Sequence, residues 1–441
     1  MSAKTIPFKN LNADAWRNLA LAAVAFFYIA NFIGLIIKYG VMNGLGGDYL
    51  AYWSAGKVAR EMGFSHIYNL NTMGQIQFQT ITNIDLPPGE ISPILIPYLY
   101  LSIFVIPFYF LSFLDFPASF WVWIVLNILI LACYLSFFVR DLSKSKKVQT
   151  NWKILFISLF VSYPVYANLV NGQIELLNVI FCGEFLRYAV KKRPVISGLW
   201  LGGLLLKPQL LILIILALML MKNWKIFQGF MISAGGILTV SVFLSGVESL
   251  MELLNLWTDT EQLYSSFAPE NMANWRMIGF NINNWTSSSF GWILTILGTL
   301  ATLALWVILI KKKPVMGSSK WVSSLFAIFA ASLLISWHSH IHSSMVLLPF
   351  LLITQIFRCS ENPHRILDLF VFAFPVALLG GSIIKIILIA FQFLPDDNLV
   401  VFLLGLAGII VYMTILFIGV KTNAHGSPLL VNLNEKPPTD C

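Results

Sequence analysis

Apolar runs of about 18 residues or more recur along this chain, each long enough to cross a bilayer core of about 30 Å as a helix. Charge is scarce to match: 58% of the 441 residues are hydrophobic and 11% are charged. A soluble domain of this size would carry roughly a quarter of its residues charged. The chain therefore reads as an all-α integral membrane protein. Its first apolar run, Leu19 to Ile37, follows Lys4, Lys9 and Arg17. That run is too long for a signal-peptide core and has no small-x-small cleavage site before Asp48, so it is expected to be an uncleaved first span with the N-terminus inside.

The basic residues define the threading. Net charge is +8 and the pI is near 9.2, but the excess lies in short connections between apolar runs, as the positive-inside rule predicts. This placement excludes nucleic acid as a partner, because no basic face with interleaved aromatics is left in water. Arg140 to Lys153, Lys191 to Arg193, Lys222 to Lys225, Lys311 to Lys313 and Arg358 to Arg365 are expected on the cytosolic side. Residues 38–90, Asn171 to Gln173, 246–286, His338 to His342 and Gln392 to Asn398 are expected outside. Cys133, Cys182, Cys359 and Cys441 offer neither a suitable disulfide pair nor a metal spacing.

Two segments must then be irregular. If residues 93–113 crossed fully, every later basic loop would fall outside. They are expected to be re-entrant or interfacial, broken by Pro93, Pro97 and Pro107. Residues 195–222 have basic residues at both ends, so they are expected to enter and return, turning at Lys207-Pro208-Gln209. Counting both halves of that hairpin gives about twelve membrane helices. In the first outer loop, Ala51, Tyr52, Ala55, Val58, Ala59 and Met62 share one helical arc, opposite Ser54, Lys57, Arg60 and Glu61. That spacing predicts an amphipathic interfacial helix. Residues 1–421 read as a single transmembrane domain, and 422–441 as a flexible cytosolic tail.

The unusual polar residues gather on the outer side. Asp48 fits either a helix N-cap or a general base for an acceptor hydroxyl. His338, His340 and His342 lie at the end of an apolar helix, where ionisable groups are costly. They fit solvated headgroup contacts, a metal site, or bonding to a phosphate and proton transfer. Lys207 fits snorkelling or phosphate binding from within, with Asn171, Gln173, Glu175 and Gln209 as polar neighbours. Arg276 beside Trp275 fits either surface decoration or an anion site with a ring for a sugar face. Asp396-Asp397 reads as a solvated turn.

Taken in order, these pieces resemble glycosyltransferase family 87, the polyprenyl-phosphate-mannose-dependent mannosyltransferases of the GT-C superfamily. The resemblance runs from about residue 15 to 415. It is carried by Asp48-Tyr49-x-x-Tyr52-Trp53-x-Ala55 with Ile67-Tyr68, then Asn171-Gly172-Gln173-x-x-x-Leu177. Gly198-x-x-x-Gly202-x-x-x-x-Lys207-Pro208, Asn274-Trp275-Arg276 and Ser336-x-His338-x-His340 follow. Where such relatives often carry Tyr-Asp after the paired histidines, this chain has His342-Ser343.

The resemblance implies a GT-C-type helical bundle in the plasma membrane with an extracytoplasmic active site. It implies an inverting, metal-independent hexosyltransferase that needs no cofactor. Polyprenyl-phosphate-linked hexose, mannose being the expectation, would be the donor, and a lipid or glycan the acceptor. Asp48 matches the catalytic base, with His338 and His340 beside it. Lys207, Arg276, Gln173, Asn171, Tyr52, Trp275 and His342 are the candidates for substrate or lipid-phosphate contacts. The competing readings are a transporter or flippase lined by Lys207 and the histidines, and a non-catalytic assembly factor.

Overall fold

The computed structural model describes residues 13–84, 95–143, 159–258, 268–356, 365–390 and 398–425. Regular structure among them is helical, apart from an isolated antiparallel bridge between Met272 and His340. The α-helices are α1 (Ala13–Gly44), α2 (Gly47–Glu61), α3 (Leu70–Thr82), α4 (Ile106–Leu111), α5 (Phe116–Ser143), α6 (Tyr163–Asn171), α7 (Glu175–Val190) and α8 (Pro194–Gly202). They continue as α9 (Leu211–Leu220), α10 (Trp224–Thr258), α11 (Trp275–Thr286), α12 (Phe290–Lys311), α13 (Ser319–Ile335), α14 (Leu348–Ile356), α15 (Arg365–Ala390) and α16 (Asn398–His425).

Among the described residues, six helices are long and apolar enough to cross a membrane: α1, α5, α10, α12, α15 and α16. The other apolar helices among the described residues are 10–17 residues long, shorter than a span, so the expected count of twelve membrane helices is not reached by full spans among them. Helix α14 is buried on every side, along with the 3-10 turn Ile341–Leu347 before it. A helix that is apolar all round belongs inside the bundle, and this one anchors the histidine segment in the core.

Residues 95–113 form no continuous helix. An extended stretch leads into a 3-10 turn at Ser102–Val105 and then α4, which is 6 residues long and so only about 9 Å in length. Between α8 and α9 the helix breaks at Lys207, whose φ of −134° and ψ of 79° separate two 3-10 turns. Helix α8 and the start of α10 run parallel in close register. A Cβ on Gly198 would lie 2.0 Å from the Ile226 carbonyl oxygen, and one on Gly202 would lie 2.5 Å from Ser233. The intervening residues therefore carry the chain back to the level where α8 began. Helix α10 is itself interrupted at Gly246, where φ is +84°.

Helix α2 corrects the expected amphipathic helix. It is buried from Tyr49 to Gly56 and again at Val58 and Ala59, with Ser54 on the supposed polar face inside. Met62, expected on the apolar arc, is exposed. The cause is α4, which packs so closely that a Cβ on Gly56 would stand 2.2 Å from the Phe108 carbonyl oxygen. At the C-terminus, α16 continues to His425, four residues into the expected tail. The rest of that tail lies outside the described residues, as do most of the basic connections at 144–158 and 357–364 and the connection at 391–397.

The basic turns that are described meet at one end of the bundle. Arg187 pairs with Asp141 at 3.0 Å, joining the ends of α5 and α7, and Lys191 pairs with the same carboxylate. Gly317 packs against the Ala189 carbonyl, and Gly198, just past Arg193, packs against Ile226, just past Lys225. Helix α7 has 16 residues, so Glu175 at its other end lies roughly 24 Å away.

Gly198→Leu should disrupt the α8–α10 crossing, because overpacking a close backbone contact costs about 1–3 kcal/mol or more. Gly235→Ala, in the same α10 but with nothing near its added Cβ, should leave the apparent Tm unchanged or slightly raised. Thermal unfolding of the two purified variants checks the pair.

Candidate active site

Two left-handed glycines create the junction on which the site is built. Gly172 ends α6 with φ 65°, and Gly46 opens α2 with φ 72°. Glycine takes this conformation without the Cβ penalty. The Gly46 N–H donates to the Val170 carbonyl at 2.7 Å, and the Trp123 indole N–H donates to the Gly172 carbonyl at 2.9 Å. A Cβ on Gly172 would stand 2.6 Å from that of Tyr49. The first turn of α2 is thus pressed against the α6–α7 turn, which sets Asp48 beside Gln173. The N-cap of α2 is Gly46 and makes no side-chain cap bond. Asp48 lies in the first helical turn and is not the cap. There the helix dipole favours its negative charge, and its carboxylate accepts a hydrogen bond from the Gln173 amide.

The histidines come from a segment too irregular to be a helix end. After α13 the chain runs extended, pinned by Ala273 N–H to the Ser339 carbonyl (2.9 Å) and by Asn274 Nδ2 to the Ser336 carbonyl (2.8 Å). Ring centroids of His338 and His340 are 4.7 Å apart, and those of His340 and His342 are 5.4 Å apart. His340 Nδ1 lies 3.3 Å from the Asn271 carbonyl. A carbonyl only accepts, so Nδ1 holds a proton, and when the ring is neutral its lone pair is at Nε2. Among the described residues no group of three His, Cys, Asp or Glu is arranged to hold a metal ion.

Asp48, Tyr52, Gln173, His338 and His340 line one cleft together with Ala51, Ile96, Pro97, Leu99 and Tyr100. The cleft is open to the surface at its mouth. One wall is polar; the other, from the extended stretch before Ser102, is largely apolar. Burial pushes the Asp48 carboxyl above the ordinary carboxylate range, opposed by His340, the Gln173 N–H and Lys207. Burial also pushes the His338 imidazole well down, reinforced by His340, Lys207 and Arg276. His338 is therefore neutral at pH 7.

The other candidates lie elsewhere. Lys207 is buried beneath the cleft, ion-paired with Glu175 and donating to Ser343 Oγ at 3.1 Å. In an apolar surround the ammonium is matched by the nearest carboxylate. Glu175 also accepts from Asn178 Nδ2 at 2.7 Å, and His342 Nε2 stands 3.8 Å from it. Trp275 faces away from the cleft, its indole against Gly298 and donating to Thr302 at 2.9 Å. The aromatic partner of Arg276 is Trp337, over whose ring the guanidinium sits at 3.7 Å while donating to its carbonyl at 3.1 Å. Asn171 is half-buried at the end of α6, and it is Asn168 that braces the turn, through the Gln173 and Glu175 N–H groups. Tyr100 was not singled out by sequence, although Tyr98-Leu99-Tyr100 is a polar-tipped aromatic cluster within an apolar segment.

The family model of glycosyltransferase family 87 matches residues 98–337. The chain belongs to that family. It is a membrane-embedded glycosyltransferase, and the transporter and assembly-factor readings give way to an enzyme. Among curated proteins and solved structures, none matches the chain. The matched stretch of this glycosyltransferase contains Tyr100, Gln173, Glu175, Lys207 and Arg276 and ends at Trp337. Asp48, His338 and His340 lie outside it in sequence, yet the fold brings them onto one cleft with Tyr100 and Gln173.

Removing one member of the buried pair leaves the other uncompensated, so Glu175→Leu should cost about 3–5 kcal/mol. Glu175→Leu combined with Lys207→Met should recover most of that loss. Apparent Tm values of the two single variants and the double variant decide it, and a double variant as unstable as the singles would refute the charge-compensation account.

Proposed function

We propose that this glycosyltransferase moves a hexose, mannose in our reading, from a polyprenyl-phosphate donor to a lipid or glycan acceptor in an inverting, metal-independent step. The carrying observation is Asp48: a carboxylate on the cleft wall, aimed by Gln173 and facing His338 and His340. A carboxylate so held takes the proton of the acceptor hydroxyl as that oxygen attacks the anomeric carbon. The new bond forms from one face while the bond to the phosphate oxygen breaks on the other, and the electron pair leaves with polyprenyl phosphate. His340 Nε2, carrying a lone pair, accepts a hydrogen bond from a sugar or acceptor hydroxyl. Arg276, behind His338, supplies positive charge toward the leaving phosphate.

The side of action is proposed on the positive-inside rule. The basic turns gather at one end of the bundle and the cleft at the other, which supports an extracytoplasmic site with both termini in the cytosol. A plasma-membrane location accords with a lipid-linked donor. The apolar wall of Ile96, Pro97 and Leu99 suits an isoprenoid chain entering beside a polar pocket.

Incubating purified protein with labelled polyprenyl-phosphate-mannose and extracted membrane lipids should yield a labelled product. Asp48→Asn should abolish transfer while retaining the fold and donor binding, and near-wild-type turnover in that variant would refute the base assignment. Asp48 works only when ionised, and burial raises its pKa. Activity should therefore fall with decreasing pH on a limb lying above the model-peptide value of about 3.9. A pH–rate profile of kcat measures where that limb lies.

A further inference from the structure

We infer that Tyr100, Tyr52 and Gln173 form a one-way hydrogen-bond chain that aims Asp48 and holds its carboxylate in the ionised form. Gln173 and Tyr52 are on this view positioning residues, not binders of the lipid phosphate. The catalytic consequence rests on Asp48 being the base; the chain itself does not.

The direction of the chain follows from donor and acceptor counting. An ionised carboxylate only accepts, so Gln173 must turn its NH₂ toward Asp48. That leaves Gln173 Oε1 facing Tyr52, whose hydroxyl must donate, at 2.7 Å. With its proton committed, the Tyr52 oxygen accepts from the Tyr100 hydroxyl 3.1 Å away. A protonated Asp48 donating to Gln173 would force the amide to flip and both tyrosines to reverse. The polarity of four groups is thus coupled to one charge, and each donor in the row favours the charged form.

Little water reaches the middle of the row, because Gln173 is 4% exposed and Tyr52 is 2% exposed; Asp48 and Tyr100 at its ends are half-buried. The rings cannot swing away either. Tyr52 stacks on Phe108 with centroids 5.1 Å apart, and Tyr98 stands edge-on to both Tyr52 and Tyr100 at 6.4 and 5.5 Å. The other charged or titratable groups around Asp48 and the two tyrosines are His338 and His340 across the cleft and the Lys207–Glu175 pair beneath it. On α2 itself, Arg60 is turned away to the Ser112 carbonyl and Glu61, and Lys57 lies over Trp53.

The test reads Asp48 directly. In infrared difference spectra of the full-length protein, the carbonyl stretch of protonated Asp48 is the band lost in Asp48→Asn, and its amplitude against pH gives the titration midpoint. Gln173→Leu should raise that midpoint by about one pH unit or more, the worth of a hydrogen bond to a charged group. Tyr52→Phe, which removes one hydroxyl and keeps the ring, should raise it by a smaller amount. The acid limb of kcat should move by the same interval, with Tyr52→Phe regaining most of the wild-type rate above it. A role confined to packing would lower kcat at every pH and leave the limb in place. Unchanged midpoints in both folded variants overturn the inference. If Asp48→Asn retains turnover while the midpoints still move, the base assignment fails and the chain stands.

Discussion

A lysine buried in an apolar bundle has to be matched by an opposite charge, and Glu175 supplies it for Lys207. The side chains of the pair are 3% and 0% exposed, so neither charge has solvent to fall back on. Glu175 shares its oxygens among Lys207, Asn178 and Ser343. Those contacts join three pieces of chain: the first turn of α7, the break between α8 and α9, and the 3-10 turn that leads into the buried α14. Glu175 follows Gln173 by two residues, and Ser343 follows His340 by three. Fixing the ion pair beneath the cleft therefore fixes both sides of the polar wall above it.

The remaining side of that wall depends on backbone instead of charge. Gly46 and Gly172 adopt left-handed conformations facing one another, and side chains there would collide with Phe120 and Tyr49. This close approach delivers Asp48 from α2 to Gln173 on the α6–α7 turn. The same device, small residues allowing backbones to touch, sets α8 against α10 and α2 against α4. In lipid, where apolar side chains gain little by leaving their surroundings, such close packing carries much of helix association.

The enzyme is polarised along its helices. Basic turns tied by Arg187, Asp141 and Lys191 occupy one end, and the cleft occupies the other. The short helices lie between them and are not failed spans. They carry the irregular backbone that an internal, partly wet site requires.

The sequence by itself determined the membrane class, the breaks near Pro97 and Lys207, and the candidates Asp48, Gln173, His338 and His340. Each of these is a one-dimensional property: run length, proline and charge placement, and the parity of crossings that puts poorly basic connections on one side. Tertiary structure alone decided what those residues meet. Lys207 and Glu175 are 32 positions apart, and Lys207 and Ser343 are 136 apart, so no local pattern could pair the lysine with that carboxylate and that hydroxyl. Arg276 found Trp337 and not its neighbour Trp275, because helical spacing turns adjacent residues to different faces. Helix α2 kept the periodicity expected of it and some exposure at Lys57, Arg60 and Glu61, but Ser54 was taken inside. Tyr100 joined the site from an extended stretch with no periodic signature to mark which way it faces. Partner choice among buried polar groups is set by distance in the folded bundle, which sequence order does not encode.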